Sequence, residues 1–354
     1  MRITVNRALL IVLGLAYLSL SLLRRSFYSP GLVDWKTIEI LSSLIVINAS
    51  LMMSGGIDFL SLKILEFTKD RRQLLLTSII LTSSLAMFLT NDVALLVLVP
   101  LTVSIGKFTK KNVEDVIIFQ AIAANVGSML TPFGNPQNII IYGLNHLNYP
   151  QFISSMFPPY LFSMVVLLLF IGFMGNEKLA TQATPTRPNY GLFATNVVLL
   201  SMVISAMALN LSGWFFIAAI IVSIASLLVI EPAGIVKVDY VLIIVFILIF
   251  LVMNSLKLIV RIPVPTNVIE IYILSIVLSQ FLSNVPTTVL FGKISSWVPL
   301  SYGVNIGGNG TVIASLANLI ALRNISGKNF LKFNKYSFLF LLITGAIGLI
   351  WLLK

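Results

Sequence analysis

Apolar runs with few charges, each about long enough to cross a bilayer as a helix, recur from one end of this 354-residue chain to the other. Hydrocarbon offers no water to backbone N–H and C=O groups, so a chain that repeats such runs must satisfy those groups within helices. The runs are 7–23, 36–54, 113–145, 152–174, 191–209, 212–230, 238–256, 302–322 and 335–353, with two longer stretches at 73–106 and 268–300. With 58% hydrophobic and 10% charged residues, the sequence reads as an all-α polytopic membrane protein.

The formal net charge of +11 does not point to nucleic acid, because the basic residues sit in short loops and form no patch on a soluble domain. Sixteen of the 23 Lys and Arg residues fall at the N-terminus, in 55–72, 107–112, 175–190 and 231–237, and across 323–335; seven fall on the other side. The positive-inside bias then predicts a cell-membrane protein with its N-terminus in the cytoplasm and its C-terminus outside. The run after Arg2 and Arg7 lacks a small-residue cleavage site and reads as the first span. The stretch 56–72 alternates apolar and charged residues as a surface amphipathic helix would. The polar, proline-bearing segment 176–190 reads as a cytoplasmic linker between an N-terminal repeat, 1–175, and a C-terminal repeat, 191–354.

Polar, helix-breaking clusters interrupt four of the apolar runs. Thr90-Asn91-Asp92 divides 73–106, and Ser283-Asn284-Val285-Pro286 divides 268–300. Arms of roughly 15 residues are short for a crossing, so both stretches are expected to be re-entrant hairpins. "NVGSMLTPFGNPQN" makes 113–145 a broken helix, and "NIGGNGTVIASLAN" does the same to 302–322. The two breaks correspond: Asn125, Gly127, Thr131 and Asn138 recur as Asn305, Gly307, Thr311 and Asn318, each 180 residues later. The hairpins follow an even-numbered and an odd-numbered crossing, so the two units are expected to be inverted repeats, as in secondary transporters.

A helix broken at mid-membrane leaves N–H groups free at one stub and C=O groups free at the other, and both can meet a solute. Asparagine amides add donors and acceptors without burying a charge. The expected substrate-binding residues are therefore Thr90, Asn91, Asn125, Gly127, Thr131, Gly134, Asn135, Asn138, Ser283, Asn284, Thr287, Asn305, Gly307, Gly308, Asn309, Thr311 and Asn318. Asp92 is the one carboxylate expected deep in the membrane; it reads as the residue that takes a coupling ion, or else as the cap of a helix beginning at Val93. His146 reads as a surface residue in an external loop. No Ser/His/Asp set, paired carboxylates or His cluster suggests an enzyme, a metal site or a cofactor, and the chain has no cysteine. "GGNGT" lacks the Gly-Lys-Ser/Thr of a phosphate loop.

Together "TNDVALLVLVPL", "NVGSMLTPFGNPQN", "SNVPTTVL" and "GVNIGGNGTVIASLAN" resemble the ion transporter superfamily. Its branches include arsenite permeases, sodium/proton antiporters of the NhaD type and sodium/divalent-anion symporters. The Asn-Asp and Asn-Val-Pro tips are most similar to the arsenite permease branch and depart from the Ser-Asn-Thr of the dicarboxylate branch. The resemblance implies a scaffold domain and a mobile transport domain working as an elevator. It implies secondary transport of a small inorganic solute or anion, with arsenite or antimonite efflux as the leading example, driven by protons or by membrane potential. Sodium/proton antiport and sodium/dicarboxylate symport are the alternatives; an intramembrane enzyme or a channel is the remaining one. Expected partners are the solute, H+ or Na+, the lipid bilayer, a second copy in a homodimer and a separate ATPase subunit.

Overall fold

The computed structural model describes residues 2–25, 31–56, 59, 68, 70–178, 187–209, 211, 213–260, 265–292, 294, 296–322 and 330–354. Among them there is no strand, and helices account for nearly every apolar run. The helices are α1 (Arg2–Arg24), α2 (Trp35–Met53), α3 (Arg71–Leu89), α4 (Asn91–Thr109), α5 (Glu114–Ser128), α6 (Pro136–Leu144), α7 (Tyr149–Gly172) and α8 (Tyr190–Ala208). They continue with α9 (Trp214–Ile230), α10 (Tyr240–Val260), α11 (Val268–Leu282), α12 (Asn284–Phe291), α13 (Trp297–Gly307), α14 (Leu316–Leu322) and α15 (Phe330–Leu352). Among the described residues six segments are long and apolar enough to cross a membrane: α2, α3, α7, most of α8, α15 and the stretch Gly234–Ile259, which holds all of α10 but its last residue. Most of the expected amphipathic stretch 56–72 and of the linker 176–190 lies outside the described residues.

Asx side chains set several helix starts. Asp70 accepts from the Gln73 N–H, Asn135 from Asn138, Asn148 from Gln151 and Asn189 from Leu192, at 2.8–3.1 Å. Each such cap contributes about 1 kcal/mol. Arg72 crosses from the start of α3 to the end of α7, where its Nε donates to the Met174 carbonyl just past the helix at 3.0 Å and its Nη2 to the carbonyl of Gly172, the last residue of α7, at 3.5 Å. Asp115 at the start of α5 pairs with Arg71 at 2.8 Å and with Lys332 of α15, tying three helices together at one end.

Two packing groups emerge. Helices α1, α2, α8, α9 and α10 pack on one another, whereas α3–α7 interleave with α11–α15. Each group draws from both halves of the chain, and they meet where α10 packs on α12 and α2 on α6.

Several boundaries differ from those read in the sequence. The arms α3 and α4 have 19 residues each, longer than expected, while α11 and α12 have 15 and 8. The stretch 268–300 does not run on as one hairpin. Gly292, at φ +60°, ends α12, and α13 begins at Trp297, five residues before the expected 302. Pro299 did not mark a break, because proline is tolerated in a first helical turn, where its missing N–H has no partner to lose.

Candidate functional site

The two hairpin tips share an uncommon backbone. Thr90 has φ 80° and ψ 149°, and Ser283 has φ 74° and ψ 156°. That region is nearly reserved for glycine and costs a side-chain-bearing residue about 1–3 kcal/mol. Each tip ends one helix and starts the next without a loop, so α4 begins at Asn91 and α12 at Asn284. Asp92 is therefore the second residue of α4 and not its cap, which corrects the capping alternative; its own N–H donates to Asn91 Oδ1 at 2.9 Å.

The broken helices lock into each other through matched asparagines. Asn125 Nδ2 donates to Asn318 Oδ1 at 2.9 Å, and Asn305 Nδ2 donates to Asn138 Oδ1 at 2.7 Å. Asn138 Nδ2 reaches the Ser128 and Thr131 carbonyls; Asn318 Nδ2 reaches those of Gly308 and Thr311, their counterparts. Asn135 Nδ2 donates to Asn305 Oδ1, while Ser315, standing where Asn135 stands in the other half, donates to Asn125 Oδ1. The hydroxyl of Thr131 bonds the Met87 carbonyl of α3, and that of Thr311 bonds the Gln280 carbonyl of α11. Asn309 accepts from Asn125 at 3.4 Å. These asparagines are at most 3% exposed, and their amides are largely spent on one another.

Glycines let the breaks approach the hairpins. A methyl on Gly127 would collide with the Ser83 backbone, and one on Gly307 would lie 3.1 Å from Ile276 Cα. Gly134 offers its carbonyl to the Asn91 N–H at 2.9 Å, which fastens the first tip to the first break.

Two cavities adjoin this net. The smaller, about 320 Å³, lies where α4, α6 and α12 begin and is lined by Asn91, Asp92, Pro136, Gln137, Ser283 and Asn284, with Ser315 and Leu316 and an apolar wall from α10 that includes Phe246 and Met253. The larger, about 620 Å³, runs from Lys237, Asp239 and Tyr240 past Asn48 to Thr90 and Asp92. Asp92 lines both. Of the residues that line the smaller cavity, Asn284 and Gln137 are each only 2% exposed, and Asn284 Nδ2, which lies beside Gly308, and Gln137 Oε1 are buried with no hydrogen-bond partner.

Of the expected site residues, Thr90, Asn91, Asp92, Ser283 and Asn284 line these cavities. Asn125, Gly127, Thr131, Gly134, Asn135, Asn138, Thr287, Asn305, Gly307, Gly308, Asn309, Thr311 and Asn318 line neither of them. Thr287 bonds the Ser283 carbonyl one turn back. Gln137 and Ser315 were not singled out in the sequence; the signals available were the "GNPQN" context of Gln137 and the correspondence of Ser315 with Asn135. His146, at φ 49°, follows the end of α6.

Comparison with known proteins agrees with this architecture. The profile of a family described as "Citrate transporter" matches residues 3–297. The uncharacterized transporter MJ0456 of Methanocaldococcus jannaschii is 35% identical over 303 residues, covering 84% of this chain and 82% of its own. The inner membrane protein YbiR of Escherichia coli is 32% identical over 342 residues, covering 91% and 89%. The magnetosome protein MamN of Paramagnetospirillum magneticum is 28% identical over 139 residues, 39% of this chain and 32% of its own. The chain belongs to the citrate transporter family, within the ion transporter superfamily, and is a multi-pass membrane transporter.

Proposed function

We propose that the chain is a secondary active transporter that binds a small inorganic solute or anion in the cavity between the starts of α4, α6 and α12. The observation that carries this reading is the meeting of Asn91, Asp92, Gln137, Ser283 and Asn284 in one cavity wall, with the Asn284 amide nitrogen buried and unpaired beside it. A buried amide with an unmet donor costs about 1–3 kcal/mol unless something fills it, and a solute oxygen would do so. Asn91 and Ser283 complete the polar lining, while the asparagines of the broken helices hold the tips in place. Arsenite and antimonite are solutes with oxygens of this kind, and the family description extends the range to carboxylates.

The two halves act as inverted repeats, each with a re-entrant hairpin. The group α3–α7 with α11–α15 moves as an elevator against α1, α2 and α8–α10, and the larger cavity is its path to the cytoplasm. This fits a cell-membrane protein with its N-terminus inside, since Lys237 at the mouth lies on the side richer in cations. Asp92, which lines both cavities, carries the coupling ion. The same position favours a second reading, sodium/proton exchange, in which Asp92 holds each cation in turn.

Purified protein in proteoliposomes tests the first reading. Under imposed proton, sodium and potential gradients, uptake of arsenite, sulfate or citrate should exceed that of empty vesicles, and Asn284→Ala should weaken it by about 1–3 kcal/mol in apparent affinity. Sodium-dependent proton movement with no solute uptake would favour exchange instead.

A further inference from the structure

Two side-chain hydrogen bonds cross between the helix groups, and they are reciprocal. Asn48, on α2 of the group α1, α2 and α8–α10, donates through Nδ2 to the carbonyl of Leu89, the last residue of α3, at 2.8 Å. Tyr142, on α6 of the other group, donates through Oη to the carbonyl of Met207, in the last turn of α8, at 3.0 Å. Carbonyls in a last turn have no partner within their own helix, so each group supplies a donor that a helix end of the other leaves wanting. All four residues are buried, so water is poorly placed to take over either bond. Asn48 Oδ1 is buried with no hydrogen-bond partner among the described residues, so the bond to Leu89 is what orients this amide. The two bonds lie at different depths. Gly143, beside Tyr142, lies next to Thr37 near the start of α2, and Thr37 and Asn48 are roughly 16 Å apart along that helix. The Leu89 carbonyl belongs to the peptide that leads into Thr90, so the Asn48 bond also bears on the first hairpin tip.

Resting on the reading of the two groups as bodies that slide past each other, we propose that Asn48 and Tyr142 are the two points of a latch that holds the arrangement seen here, with the larger cavity open past Lys237. That cavity separates the groups along part of their boundary: Leu44, Met52 and Phe246 face it from one, Val93, Leu96 and Leu316 from the other. Where it intervenes the groups cannot pack directly, and the bonds at its inner end and outside it carry more of the hold; Asn48 lines it and Tyr142 does not. A slide of one helical turn moves each carbonyl about 5.4 Å from its donor, and neither bond survives such a shift. Leaving this arrangement therefore breaks two buried hydrogen bonds at once, and removing either donor favours the alternative. Asn48 is also a positioning residue for the first hairpin, because it fixes the Leu89 carbonyl and, through it, the tip that carries Asn91 and Asp92.

Side-resolved labelling of the full chain carrying Val285→Cys tests the latch, in sealed vesicles of known orientation with no imposed gradient. The readout is the ratio of the rates at which a membrane-impermeant maleimide reaches position 285 from the outer and from the cytoplasmic side. Tyr142→Phe removes one oxygen and keeps the ring; Asn48→Leu removes the amide at similar volume. Each should raise the ratio by about fivefold, and the two together by about 25-fold, since the points are far apart and act independently. Tyr302→Phe is the control: Tyr302 Oη donates to the Ser155 carbonyl at 2.9 Å inside one group, a bond that travels with that group, so its loss should leave the ratio unchanged. An equal rise in Tyr302→Phe would overturn the proposal by showing general loosening. An unchanged ratio in Tyr142→Phe would overturn it too, while labelling of position 285 from both sides would keep the sliding groups. A rise in only one of the two donor variants would overturn the two-point form. Labelling from one side alone, in every variant and under every gradient, would remove the sliding reading and the latch with it. If Asn48→Leu does not fold, Tyr142→Phe decides by itself.

Discussion

Asn125 and Asn318, from opposite halves of the chain, share a hydrogen bond of 2.9 Å inside a net where neither is more than 3% exposed. Their counterparts Asn305 and Asn138 share the same bond at 2.7 Å, with the donor now in the second half. Removing Asn125 leaves the buried Asn318 Oδ1 without this donor, and removing Asn318 leaves Asn125 Nδ2 only its longer bonds to Gly308 and Asn309 at 3.2 and 3.4 Å, so Asn125→Ala and Asn318→Ala should each destabilise by about 1–3 kcal/mol. The double variant should cost less than the sum of the singles. Denaturant unfolding in detergent reads both; additive singles would mean that the bond carries no shared energy.

The close approach at Gly127 is to backbone, whereas that at Gly307 is a tight contact with Ile276 Cα and the Ser279 side chain. Gly127→Ala should therefore disrupt the packing of α5 on α3 and lower expression of folded protein. Gly307→Ala should cost less, about 1–3 kcal/mol of overpacking. Fluorescence-detected gel filtration separates the two, and equal tolerance of both would contradict the geometry.

The backbone at Ser283 is glycine-like, and the Ser283 hydroxyl makes only long bonds of 3.4 Å. Ser283→Gly should thus retain or raise thermal stability, by up to about 1 kcal/mol, whereas Ser283→Val should lower it. A loss on glycine substitution equal to that on valine would show that the tip is not strained.

Asp115 holds Arg71 and Lys332 at one end of α3, α5 and α15. Asp115→Ala leaves two cations facing each other without a counter-charge, and destabilisation of about 1–3 kcal/mol is expected. Raising salt should weaken the wild type little, because the carboxylate is mostly buried; a wild type that falls to the level of the variant in high salt would mark the triad as a screened surface contact.

The helices could be read from the sequence because each apolar run needs a helix to satisfy its backbone in hydrocarbon. The breaks were equally open to reading, since Gly, Pro and Asn clusters in such runs announce themselves, and the 180-residue correspondence foreshadowed the reciprocal asparagine bonds. What the sequence does not carry is the fate of each amide. Asn125 and Asn284 look alike in a string of letters, yet one bonds three acceptors across the halves and the other has an unmet donor. That depends on which helix ends meet. The positive φ of Thr90 and Ser283 was hidden for a related reason: neither residue type favours it, and packing on both sides imposes it. The cavity lining was hidden as well, because Gln137 of α6 meets Phe246 and Met253 of α10, two helices far apart in the sequence.

Alternating access of the smaller cavity is tested most directly by labelling, which needs no knowledge of the solute. The chain has no cysteine of its own, so a single Val285→Cys substitution places one thiol in that cavity. Val236→Cys, at the exposed mouth of the larger cavity, serves as the reference. In sealed vesicles of known orientation, a membrane-impermeant maleimide should reach Cys at 236 only from the cytoplasmic side. It should reach Cys at 285 from either side, with rates that shift in opposite directions when the proton gradient is reversed. Labelling at 285 confined to one side under every gradient would contradict a cavity that changes sides.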